Sequence, residues 1–153
     1  MADNIARESI ADLEGKYITF FIGDTIYGIE LLHVIELINI QPITIIPKIP
    51  SYYKGVINLR GKILPVIDVR CKLRMKETPY NDKTCIIVVS VDESLVGLIV
   101  DSISDVVTIS DENMSKYQQS GNAAATTYLT SVSKVDNRAI IHLDCSKFIS
   151  SDL

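Results

Sequence analysis

The segment Phe20 to Ile38, FFIGDTIYGIELLHVIELI, aligns without gaps on Val89 to Val107, VSVDESLVGLIVDSISDVV. Gly28 falls on Gly97, Ile29 on Leu98, Val34 on Ile103 and Glu36 on Asp105. A second block follows in the same order. YKGVINLRGKILPVID (Tyr53 to Asp68) aligns on YLTSVSKVDNRAIIHLD (Tyr128 to Asp144), Tyr53 on Tyr128 and Asp68 on Asp144, with one residue added at the turn. An internal repeat of this kind requires two similar folding units. Each half alone is too small for a comfortable core, so the two must pack together across an apolar seam.

The repeated blocks are made of short runs rich in Val, Ile, Tyr and Thr, such as KYITFFIG, KILPVIDV, CIIVVSV, LVGLIV and RAIIHLD, broken by GD, RG, DES and DN. Runs of this length between turn residues are β-strands. Helical turns are expected only near Leu31–Val34, at Val69–Arg74, in the amino-terminal segment and at Cys145–Ser150. About five short strands per half point to two small, partly open barrels, because closing a sheet removes its exposed edges. Two polar stretches read as loops: Arg74 to Thr84 joins the halves, and Ser110 to Thr127 interrupts the second.

Composition excludes several function classes. The 153 residues fit one domain or two subdomains sharing a core, and 47% hydrophobic against 22% charged residues is ordinary for a globule. Nineteen acidic and fifteen basic residues give a net charge of -4, no footprint for nucleic acid or an anionic membrane. The start, MADNIARESIADLEGKY, lacks a secretory signal, and no apolar run approaches the ~20 residues of a membrane span, so a soluble, cytoplasmic protein is expected. Cys71, Cys85 and Cys145 form no C-x-x-C pair and read as free thiols.

No reactive constellation emerges. His33 and His142 have no metal-ligand spacing and read as semi-buried or surface residues, so neither metal nor cofactor is expected. Ser131 and Lys134 match S-x-x-K, but an alternating strand puts them on opposite faces. Glycine-rich phosphate loops are absent, and Asp101, Asp105 and Asp111 read as solvated charge or turn caps. A binding module is the natural inference. Its most unusual feature is the turn Arg60-Gly61, where Gly61 supplies positive φ and Arg60 offers a rigid fork of donors, with Glu36 the carboxylate nominated to receive it. Pro65 suits an edge or a bulge in the second strand of that hairpin.

YKGVINLRGKILPVIDVR resembles the signature of the CheW family of chemotaxis coupling proteins. FFIGDTIYGIELLHVIELI is similar to that family's opening strands, YNDKTCIIVVSVDESLVGLIVDSISDVVTIS to its central block and YLTSVSKVDNRAIIHLD to its closing hairpin, from about Lys16 to Phe148. The resemblance implies a mainly β fold of two five-stranded SH3-like barrels packed side by side, with short helices: a single CheW-like domain over residues 1–153, the first barrel at about 16–74, the second at about 84–144 and a short closing segment at 145–153. It also implies a non-enzymatic adaptor between the cytoplasmic tip of methyl-accepting chemoreceptors and the regulatory domain of the histidine kinase CheA, recruited to membrane receptor arrays, with other adaptor copies in mixed rings. Carried over position by position, Leu31, Val34, Glu36 and Gly55 imply the kinase-binding surface, Leu37, Cys85, Gly97, Ile99 and Ile103 an apolar receptor groove, and Arg60 with Gly61 a structural and coupling role.

The chain departs from the family at SKYQQSGNAAATT, where a proline- and aromatic-bearing loop is usual and Tyr117 is the nearest substitute, and no longer closing helix follows KFIS. Rival readings are an adaptor of a surface-motility pathway, a receiver-less relative of the kinase regulatory domain, a small-barrel nucleic-acid binder, and an enzyme using His142 or Ser131. The acidic balance and the absence of tryptophan argue against the nucleic-acid reading.

Overall fold

The computed structural model describes residues 10–116 and 128–150. Eleven strands follow in chain order: β1 Lys16–Ile22, β2 Thr25–Glu30, β3 Val34–Asn39, β4 Tyr53–Leu59, β5 Lys62–Asp68, β6 Cys85–Val91, β7 Ser94–Val100, β8 Ser102–Thr108, β9 Met114–Lys116, β10 Leu129–Val135 and β11 Arg138–Leu143. The expected helical turns are present as α1 Ile10–Leu13, a 3-10 turn at Leu31–His33, α2 Val69–Lys72 and α3 Cys145–Ser150. The second loop holds more structure than its composition indicated, with a 3-10 turn at Asp111–Asn113 and then β9. Tyr117 lies outside the described residues.

The strands form a six-stranded sheet in the order β8-β1-β2-β11-β10-β9 and a five-stranded sheet in the order β3-β6-β7-β5-β4. Both are mixed, with β2 parallel to β11 and β5 parallel to β7 and the remaining pairs antiparallel. The repeat is visible in these orders, since β1, β2 and β3 of the first half stand where β6, β7 and β8 stand in the other sheet. Yet neither sheet belongs to one half. The β1–β2 hairpin joins strands of the second half, and the β6–β7 hairpin joins strands of the first.

The expected pair of five-stranded SH3-like barrels is therefore corrected: two open sheets pack together, one of them six-stranded, and neither closes on itself. The physical reason is the same in both. The outer edge of β4, which a closing strand would need, is taken by Thr44, whose N–H and C=O both bond Val56 at 2.9 Å. In the other sheet β9 covers the outer edge of β10, with Ser115 opposite Val132. A short covering segment blunts each of these edges.

The register also corrects the repeat. Asp68 N donates to Tyr52 O and Asp144 N to Tyr128 O, both at 2.8 Å. Each hairpin then slips at a bulge, between Tyr53 and Gly55 and between Leu129 and Ser131. Tyr52, not Tyr53, is thus the counterpart of Tyr128, and no residue is added at the turn.

Three apolar clusters follow from strand alternation. The largest lies between the sheets and includes Ile18, Phe20, Ile22, Leu31 and Val34 with Ile67, Ile87, Val89, Leu98 and Phe148. The opposite face of the five-stranded sheet buries Ile57, Leu64, Val66, Ile86, Val88 and Ile99, and the opposite face of the six-stranded sheet buries Ile26, Ile109 and Ile140. Strands buried on both faces read as continuous apolar runs, which is why CIIVVSV and LVGLIV show no polar alternation.

Candidate functional site

The β4–β5 turn has both central residues in the left-handed region, Arg60 at φ 51° and Gly61 at φ 87°. This geometry matches the right-handed twist of the flanking strands. Nothing lies within 4 Å of where a Gly61 side chain would begin, so the glycine answers to backbone conformation alone. Asn58 Oδ1 accepts from Gly61 N at 2.9 Å and steadies the turn.

Arg60 Nη2 forms an ion pair with Glu36 Oε1 on β3, the carboxylate nominated from sequence. The pair bridges the two edges of the five-stranded sheet, from the β4–β5 turn to β3. Glu36 keeps only 12% of its side chain in contact with solvent, whereas Arg60 exposes 69%. Together they line a cleft of about 270 Å³ with Ile35, Leu59, Lys62, Leu64, Val88 and Leu95. Ile35 is 43% exposed, an apolar residue of this cleft that the sequence reading did not single out.

The remaining residues assigned to the kinase side are not surface residues. Leu31 and Val34 are buried in the cluster between the sheets. A Cβ on Gly55 would collide with Thr44 O, so this glycine admits the covering segment on β4. The residues assigned to the receptor groove divide between two faces. Leu37 and Cys85 on the five-stranded sheet and Ile103 on the six-stranded sheet are partly buried against the cluster between the sheets. Ile99 is buried in the cluster on the far face, and a Cβ at Gly97 would sit 2.8 Å from Ile86 Cγ2 and Val66 Cγ1 of that same cluster. The five are not brought together as one exposed groove.

A second acid–arginine pair occupies the repeat-related end of the other sheet. Arg138 Nη2 reaches Asp105 Oδ2 at 3.3 Å, and the Thr19 hydroxyl donates to Asp105 Oδ1 at 2.6 Å while accepting from Asp105 N at 3.0 Å. The Thr19 bond, the largest influence, outweighs the opposing effect of burial and, with the weaker pull of the Arg138 charge, holds the Asp105 carboxyl below the usual carboxylate range. The signal for this pair was in the repeat, which sets Glu36 on Asp105.

Asp101, expected as solvated charge, accepts both Nε and Nη2 of Arg70 at 2.9 and 2.6 Å and the Gly23 N–H at 2.7 Å. Burial alone would raise this carboxyl, but the Arg70 guanidinium and the Gly23 N–H outweigh it and its pKa is lowered. No sequence pattern links Arg70, Asp101 and Gly23.

Reactive groups are held in unreactive settings. His142 is buried, bonded through Nε2 to Ser133 Oγ at 2.8 Å and edge-on to Tyr17 at 4.7 Å, and burial lowers its pKa to about 4. The Cys145 thiol is pushed up to about 12 and that of Cys85 is also raised, both chiefly by burial. Asp68, Cys71 and Glu77 place ligand atoms within 4.8 Å of one another, yet Lys54 is paired with Glu77, and Asp68 accepts from Tyr80 Oη at 2.7 Å and Cys71 N at 3.3 Å. The protein's own donors thus already answer this acidic group. Among the described residues, no helix is long and apolar enough to cross a membrane.

Comparison with known proteins gives concordant results. The family model described as "CheW-like domain" matches residues 16–153. The chain is 34% identical over 137 residues to the chemotaxis protein CheW of Klebsiella aerogenes, covering 90% of this chain and 82% of that protein. It is 32% identical over 145 residues to the probable chemotaxis protein CheW of Rhizobium etli, covering 95% and 94%. The crystal structure of the scaffolding protein TtCheW from Thermoanaerobacter tengcongensis superposes with a TM-score of 0.81 at 28% identity, covering 89% of this chain and 92% of that one. In sequence over nearly its whole length, and in fold, the chain belongs to the CheW family.

Proposed function

We propose that this protein is a non-enzymatic chemotaxis adaptor that couples chemoreceptors to the histidine kinase CheA. Membership of a family whose relatives are chemotaxis proteins and scaffolds supports this reading. The observation that carries its geometry is the exposed Arg60 guanidinium, fixed by Glu36 at the mouth of an apolar-walled cleft. A fixed fork of donors beside exposed aliphatic surface suits recognition of a protein partner.

In this reading the kinase regulatory domain meets Glu36, Arg60 and Ile35. Leu31, Val34 and Gly55 act from beneath, by setting where β3 and β4 lie. The receptor tip meets the margin of the seam through Leu37, Cys85 and Ile103, while Gly97 and Ile99 fix the spacing of the strands behind it. Other copies of the chain join the assembly in rings at the cytoplasmic face of receptor arrays. The adaptor moves no atoms. It favours one arrangement of its partners over another by binding it better.

Co-sedimentation with receptor signalling-tip fragments in lipid vesicles, with and without CheA, tests the proposal while kinase autophosphorylation is followed. A ternary complex with raised kinase activity is expected. A folded protein that binds neither partner would leave the fold without this function.

A further inference from the structure

Lys72, the last residue of α2, is only 4% exposed, and its Nζ lies over three aromatic rings. The ring centroids are 4.5 Å away for Tyr52, 5.2 Å for Phe148 and 5.3 Å for Tyr128. Tyr128 and Phe148 also meet edge to face at 5.1 Å. Tyr52 and Tyr128 are repeat counterparts, each bonded through its carbonyl to the aspartate that precedes a short helix. Lys72 and Phe148 stand the same distance past Asp68 and Asp144. The four residues are therefore two equivalent pairs, and the internal repeat brings them together where its halves meet.

An aliphatic side chain at Lys72 would fill the same space without taking a charge out of water, so stability alone does not account for an ammonium there. A point charge over several ring faces supplies something else. The attraction depends on each ring presenting its face, so it favours one arrangement of the elements that carry the rings. We propose that Lys72, Tyr52, Tyr128 and Phe148 form a cation–π clamp that holds α2 and α3, and with them the two interleaved halves, in one relative position. α3 packs against β6, and α2 against β5 and β7, so the clamp joins the helix of each half to the sheet that both halves build.

Native-state hydrogen exchange of the full chain tests this, read at two helical amides: Leu73, bonded to Val69 O at 3.0 Å, and Phe148, bonded to Asp144 O at 2.9 Å. In Lys72→Met these amides should exchange roughly tenfold faster, with strand amides of β1 and β6 and the denaturant midpoint unchanged. Lys72→Arg should retain protection. Tyr52→Leu, which keeps the lysine and removes one ring, should show the same selective acceleration and serves if Lys72→Met does not fold. Unchanged protection at both amides in a folded variant, or equal acceleration across the strands, would overturn the clamp.

Discussion

At one end of the five-stranded sheet Arg60 stands on its turn, mostly in water, and reaches back to a nearly buried Glu36. At the related end of the six-stranded sheet the turn is Asp136-Asn137, and the cation, Arg138, comes just after it with 34% of its side chain exposed. Its acid partner is the more exposed group at 48%, and Thr19 of β1 holds that acid as well. One repeat has thus produced two different ends. The first presents a cation and shields the acid, whereas the second uses its acid to tie β8 to β1. The cores behind them differ likewise: Ile57 and Val66 in one sheet stand where Ser133 and His142 stand in the other.

Exchanging residues between related positions breaks this comparison most severely at Gly55. Its counterpart is Ser131, but Gly55 has φ 141° and a Thr44 carbonyl where a side chain would begin. Gly55→Ser should cost at least about 3 kcal/mol by denaturant unfolding, against under about 1 kcal/mol for Ser131→Gly. A small loss at Gly55 would mean that the covering segment moves freely.

The polar pair makes the six-stranded sheet the acid-sensitive one. His142 is buried neutral, with its folded pKa lowered to about 4 from the ordinary 6.5, so its contribution is complete above pH 6.5 and is lost as pH falls towards 4. The loss should approach roughly 3 kcal/mol. His142→Val with Ser133→Ile, which copies the other sheet, should flatten stability over that window; persistence of the slope would place the titrating group elsewhere.

Smaller effects are expected at the paired glycines. A methyl at Gly97 meets Ile86 and Val66 at 2.8 Å, whereas one at Gly28 meets Ile140 at 3.2 Å. Gly97→Ala should cost about 2 kcal/mol and Gly28→Ala about 1 kcal/mol, and a reversed order in thermal melts would contradict the packing described. Least of all, Arg60→Ala and Arg138→Ala should each change stability by under about 0.5 kcal/mol. Only Arg60→Ala should weaken CheA binding by roughly tenfold in a pull-down titration; equal losses would make the two ends functionally alike.

Much of this was legible in the residues. Left-handed turns at RG and DN, the helical turn in LLH and the Glu36–Arg60 pairing all follow from local chemistry or from the repeat. The exchange of hairpins was not legible, because β2 and β11 find each other through buried faces whose aliphatic residues are interchangeable as sequence letters. Open sheets in place of barrels turned on Thr44 and β9, single covering contacts inside segments that read as loops. Gly97 and Ile99 were assigned to a groove with Cys85, but the β6–β7 register, which sets Ile86 opposite Ile99 and Val88 opposite Gly97, puts Cys85 on the other face, and that register is not written in either strand alone. The Arg70–Asp101–Gly23 junction links distant segments with no shared motif.

The interleaved sheets also constrain how the protein is made. As the chain leaves the ribosome, β1 and β2 emerge well before their sheet neighbours β8 and β11. β5 likewise waits for β7. Neither sheet is complete in a half-made chain, so folding is expected to be a late, all-or-none event rather than half by half. Protease resistance of stalled nascent chains should appear only after β11 has cleared the exit tunnel, and a fragment ending before β6 should remain digestible throughout.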